Sequence, residues 1–188
     1  MANTETTINA VINPENNETP IDIEKTIKAL ERNKFVVHYF ETGAEAISYL
    51  KGRIQNKRVA IGDSHTLLEL KVHDLLAQVN DDITDIQRPF PGESFRDTAL
   101  RTMGRDVFLT SVNALAQTGE MVNIDGTGNR VAASLFGSQE VFFVLGINKI
   151  TPDLASAIYR ARNVAAPLNS KKNKKSSLNP CATLEEKC

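Results

Sequence analysis

The residues best suited to chemistry stand together at Asp125-Gly126-Thr127-Gly128-Asn129-Arg130. Glycines let successive backbone N–H groups converge on an anion, and an arginine adds a planar fork of donors. The segment completes neither common phosphate-binding pattern. A dinucleotide fingerprint needs a third glycine where Val131 stands, and a P-loop needs Lys followed by Ser or Thr where Asn129 and Arg130 stand. What remains is a general anion-binding loop, or a tight turn with a solvated arginine.

A second loop of this kind is Gly62-Asp63-Ser64-His65-Thr66, which follows the apolar run Arg58 to Ile61 and precedes Leu67, Leu70 and Leu75. Strand, small polar turn and helix start make an anion-site arrangement; Ser64 or Thr66 suits an N-cap, and Glu69 would close a capping box with Thr66. His65 adds an imidazole to the loop. A third set follows the strand Val141 to Leu145, where Gly146, Asn148 and Lys149 stand. Between them, Val107 to Leu109 lead into Ser111 and Asn113, and Glu120 offers a carboxylate able to act as nucleophile or base, with Arg130 and Lys149 holding the anion. Each loop follows a predicted strand, so Gly62 to Thr66, Asp125 to Arg130 and Gly146 to Lys149 are expected around one cleft at the carboxyl ends of parallel strands.

The elements that must position these loops follow from periodicity. A helix opens at Thr19-Pro20-Ile21-Asp22, and Phe35 to Phe40 reads as a strand. Ala44 to Ile54 is a helix, Arg58 to Ile61 a strand, and short helices follow the Gly62 loop. A Pro89/Pro91 turn leads to a segment around Glu93 to Met103. Ala114 to Ala116 suit a short helix stopped by Gly119, and Met121 to Ile124 look extended. Thr151-Pro152-Asp153 opens a last helix with Leu154, Ile158, Ala161 and Ala165 as its apolar stripe. Alternation of strand and helix predicts an α/β fold, a largely parallel sheet with helices on both faces.

At 188 residues and 41% hydrophobic, the chain can bury one ordinary core, and one domain is the economical count. The net charge of −1 conceals a basic tail. Residues 1–170 hold 17 basic and 21 acidic side chains, after the five lysines and two glutamates of residues 171–188 are set apart. That balance excludes a nucleic-acid partner, and the run Lys171 to Lys175 reads as a solvated linker. Residues 1–18, rich in Asn and Thr and poor in large apolar side chains, are expected to be disordered. They lack the basic-then-apolar order of a secretion signal, and no stretch is apolar enough for membrane insertion, so a cytoplasmic protein is expected. The histidines form no metal motif, with His38 and His73 read as ordinary imidazoles. Cys181 and Cys188 are two thiolates where zinc or iron–sulfur sites take four ligands, and they read as free thiols on a mobile tail.

Taken together, Gly62 to Thr66 (GxSxT), Ser111 to Glu120 (SxNAxxxxGE), Asp125 to Ala132 (DGxGNRVA), Gly146 to Ile150 (GxNKI) and Arg162 to Asn169 (RxxxAAPxN) resemble the LUD-domain family, the lactate utilization proteins, in order and separation from about Ile21 onward. Asp63 and His65 depart from that pattern, standing where a small and an apolar residue are expected. The resemblance implies a sugar-phosphate isomerase and CoA-transferase-like fold, without its chemistry. It implies an LUD-like domain over 19–170, then a Lys-rich linker and cysteine-containing tail over 171–188 that is truncated. It further implies a component of an L-lactate utilization system, passing electrons from lactate with iron–sulfur and redox partner subunits. Cys181 and Cys188 then look like the first two cysteines of a longer cluster, metal ligands for an iron–sulfur cluster or zinc only in a longer form. The alternative is a stand-alone enzyme or binding protein for an anionic small molecule, a phosphosugar or acyl-CoA, with Glu120 as its catalytic residue.

Overall fold

A computed structural model describes residues 3–9 and 20–172 of the chain. Its strands and helices run β1 (Asn3–Asn9), α1 (Ile23–Arg32), β2 (Val36–Phe40), α2 (Gly43–Arg53), β3 (Arg58–Ile61), α3 (His65–Glu69), α4 (Val72–Leu76) and β4 (Asp82–Asp85). There follow α5 (Phe95–Thr102), β5 (Val107–Thr110), β6 (Ala114–Ala116), β7 (Met121–Val122), α6 (Asn129–Leu135), β8 (Glu140–Gly146), β9 (Ile150–Thr151), α7 (Leu154–Arg160) and α8 (Ala166–Lys172). They divide into two units. One holds β1, Lys34–Ser111 and Asp125–Asn148; the other holds α1, Val112–Ile124 and the chain from Lys149.

The first unit is built on a six-stranded sheet of order β2-β1-β8-β5-β3-β4, every pair parallel. Period-two alternation turns Val59, Ile61, Val107, Leu109, Phe142 and Val144 to one face, where they pack with Leu50 of α2, Ile54 just after it, and Leu67, Val72 and Leu76 of α3 and α4. The intervening Ala60, Phe108, Val141, Phe143 and Leu145 are buried too, and α5 packs on β3 and β4 while α6 packs on β5. Burial on both faces is why these strands read as unbroken apolar runs. The start of α2 shows the local logic: Thr42 Oγ1 accepts the Glu45 N–H, and the Glu45 carboxylate accepts the Thr42 N–H, a reciprocal capping box.

Disorder was the expectation for residues 1–18, yet Asn3–Asn9 is a strand with Thr4 opposite Val141 and Ile8 opposite both Tyr39 and Leu145. Thr4, Thr6, Thr7 and Ile8 are β-branched, which favours extended backbone, and insertion between β2 and β8 pairs the strand on both sides. The rest of that expectation, and the whole cysteine tail with Cys181 and Cys188, lie outside the described residues. The edge strand β4 has no counterpart in the predicted elements, because only Ile83 in Asp82-Ile83-Thr84-Asp85 is apolar.

Among the ion pairs of the first unit, two shift their carboxylates furthest. Arg58 holds Asp106 at 2.7 Å, and Arg101 grips Glu93 with bonds of 2.6 and 2.8 Å. The Arg101 guanidinium holds the Glu93 carboxyl down to about 2, and Arg58 does the same for Asp106, also to about 2. Both folded values lie below the ordinary ones of 4.5 and 3.8, so the stability they contribute is present above those ordinary values and is lost as pH falls through about 2. Thermal melts should therefore show a decline from about pH 4.5 downward to about 2, and Asp106→Asn should flatten it.

The second unit carries a three-stranded sheet of order β7-β6-β9, with β6 antiparallel to β7 and parallel to β9. Here Ala114 to Ala116, predicted as a short helix, form the central strand. Alanine's helix propensity is a weak preference, and three residues are too few to repay helix nucleation. The small side chains of Ala114 and Ala116, fully buried, instead let the sheet approach Ala157 of α7. The apolar stripe of the last helix is also displaced: Ala157 and Ala161 are buried, whereas Leu154 and Ile158 are exposed. A π-helical turn at Ala161–Ala165 separates α7 from α8. The helix does open after Thr151-Pro152-Asp153, and Asp153 caps α7 by accepting the Ser156 N–H at 2.7 Å.

Gly119 closes the β6–β7 turn at φ +101°, where an added Cβ would stand 2.8 Å from Asn33 Nδ2 and 3.1 Å from the Ala29 carbonyl. Gly119→Ala combines left-handed strain with a clash against α1 backbone and should cost about 2 to 3 kcal/mol, read by urea unfolding. Among the described residues, no helix is long and apolar enough to cross a membrane.

Candidate functional site

Strands β3, β5 and β8 are parallel neighbours, so their carboxyl ends at Ile61, Thr110 and Gly146 lie along one edge of the first unit's sheet. Open parallel sheets bind ligands at such edges, because loops and helix starts gather there. Gly62 to Thr66 follows β3, and Gly146 ends β8, with Asn148 and Lys149 in a single 3-10 turn beyond it. Lys149 falls in the second unit.

Gly62 donates its N–H to the Leu109 carbonyl at 2.9 Å, and an added Cβ would stand 2.9 Å from the Phe108 ring. The close approach of loop to sheet is what glycine permits here. Ser64, nearly buried, caps α3 by accepting the Leu67 N–H at 3.3 Å. Of the two expected caps it is therefore Ser64, and not Thr66, that starts the helix. Glu69 turns instead to His65, 3.0 Å away on the exposed face of α3.

The Asp125 loop is closed on itself. Arg130 Nε and Nη2 lie 2.8 and 2.7 Å from Asp125 Oδ1, and Nη1 donates to the Ser111 carbonyl at 2.9 Å. The other Asp125 oxygen accepts the Val131 N–H at 2.7 Å. The two side chains are only 12% and 9% exposed, so this is a nearly buried latch that ties α6 and its loop to the end of β5. The tip, Gly126 to Gly128, is exposed, and Thr127 Oγ1 donates to Asn129 Oδ1 at 2.6 Å.

In the second unit, Asn113 pins the strand opposite: its Oδ1 accepts the Ile124 N–H at 2.8 Å, and its own N–H donates to Asn123 Oδ1. Arg160 reaches the Asn113 carbonyl from α7, and burial pushes its guanidinium below the usual arginine range. Glu120 is exposed on the β6–β7 turn, where its carboxylate accepts from Thr118 Oγ1.

The first unit also has a small cleft, about 270 Å³ including its open mouth. Gly62 and Ser64 line it; no residue of Asp125 to Arg130 or Gly146 to Lys149 does. Its charged wall comes from Lys71, His73, Asp85 and Arg88. His73 Nδ1 stands 3.0 Å from Asp85 Oδ2, and Gln87 N–H donates to Asp85 Oδ1 at 2.9 Å. Arg88 is bidentate on Asp74, at 2.6 and 3.2 Å, which lowers the Asp74 carboxyl and raises the guanidinium. Sequence reasoning missed this constellation, since twelve positions separate His73 from Asp85 and no motif spans them. The available signal was an Asp at a polar strand end beside the Gly62 loop.

Among the described residues, no group of three or more His, Cys, Asp or Glu could hold a metal ion. No curated protein and no solved structure matches the chain. The sequence model of the LUD domain matches residues 23–184, which spans the loops and both units from α1 onward. The chain belongs to the LUD domain family.

Proposed function

We propose that this chain is the LUD-domain component of an L-lactate utilization system and works with iron–sulfur and redox partner proteins that carry electrons from lactate. The family match over residues 23–184 carries this reading, because it covers the whole domain. The loops are compatible with a binding and docking role: the Arg130 latch holds a solvent-facing Gly126 to Gly128 tip, and the Gly62 loop is fixed on the sheet.

Affinity purification of the chain from its native source, followed by a lactate-dependent dye-reduction assay, tests the reading. The expected result is co-purification of iron–sulfur proteins and lactate oxidation by the assembly but not by the chain alone. Turnover of an acyl-CoA or phosphosugar by the purified chain, with no such partners, would overturn it.

A further inference from the structure

We propose that the cleft of the first unit, walled by Lys71, His73, Asp85 and Arg88, binds a small oxyanion, a carboxylate or a phosphate, with His73 Nε2 as its hydrogen-bonding partner. The inference goes beyond the lactate-utilization reading and does not depend on it.

Asp85 is the last residue of β4, and its side chain is 8% exposed. With one oxygen on the Gln87 N–H and the other on His73, it is a fixed acceptor that orients the ring and leaves Nε2 as the imidazole's other polar atom. A ring that donates to Asp85 from Nδ1 accepts at Nε2 from the hydroxyl of a protonated oxyanion, and a ring carrying both protons donates from Nε2 to an oxyanion.

Lys71 and Arg88 supply positive charge. Lys71 sits at φ +53°, a left-handed conformation that a residue with a side chain rarely adopts, at the start of the helix that carries His73. Arg88 lies with Nε 3.8 Å from Asp85 and its outer edge on Asp74. Counting the lining groups, Lys71 and Arg88 against Asp85 leave one positive charge with the imidazole neutral. Asp74 and Asp63 are close by but do not line the cleft, and Asp63 accepts from Gln87 Nε2 at 2.7 Å. The floor is apolar, formed by Ile61, Leu67 and Val72, and charge-assisted bonds are stronger over such a floor than in open water.

The test is a titration of the full chain, ¹⁵N-labelled at histidine, with inorganic phosphate and separately with acetate at constant pH and ionic strength. His73 should shift saturably with one or both anions while His38 and His65 stay in place, and the responding anion identifies the ligand class. Lys71→Gln, an exposed substitution that leaves the core intact, should weaken the apparent affinity by about tenfold. Absence of a saturable His73 shift with either anion, equal shifts at all three histidines, or unchanged affinity in Lys71→Gln would overturn the proposal.

Discussion

Replacing Arg130 by alanine is expected to destabilise the protein by about 3 to 5 kcal/mol, the usual consequence of removing one partner from a buried ion pair. The substitution strips the Asp125 carboxylate of its cation at a site where both side chains are almost wholly buried, and takes a donor from the Ser111 carbonyl. For a chain of this size, each kcal/mol lowers the melting temperature by about 2 to 4 °C, so a drop of roughly 6 to 20 °C should be seen by calorimetry. Arg130→Lys keeps the charge without the fork and should fall in between. A loss below about 1 kcal/mol would mean that the latch is only an exposed pair.

Phe142→Ala should cost about as much, 3 to 5 kcal/mol, for a different reason. Phe142 is fully buried in the middle of β8, within the cluster that joins the sheet to Leu50, Ile54, Leu67, Val72 and Leu76. Truncation removes the ring's burial and leaves a cavity under the two short helices that flank the His73 cleft. Phe142→Leu, which keeps most of the volume, should cost less than about 1.5 kcal/mol. Urea unfolding with unchanged slope checks both, since a changed slope would signal lost two-state behaviour.

The central strands were legible because burial on both faces writes itself as continuous apolar sequence. Arg58 to Ile61 was placed to the residue, and Val107 to Leu109 and Val141 to Leu145 each to within one position at either end. The helix starts near Asp22 and Asp153 were legible from Thr19-Pro20 and Thr151-Pro152 just before them, whereas the Thr42 capping box was not. Small and polar elements were not. Ala114 to Ala116 became a strand by pairing with the nearby β7 and the distant β9, and Asn3–Asn9 and Asp82–Asp85 are strands by virtue of their neighbours. The site divides in the same way. Gly62 and Ser64 were visible as a loop before a helix, but the partner that Arg130 would choose depended on a buried contact, and the His73–Asp85 pair on the fold bringing α4 to the end of β4.

The claim that the chain serves lactate utilization is tested most directly by L-lactate-dependent electron transfer in extracts of source cells lacking it, with and without the restored full chain. Lactate oxidation should be lost with the chain and return on complementation, while oxidation of an unrelated respiratory substrate is unaffected. Undiminished lactate oxidation in cells without the chain would contradict it.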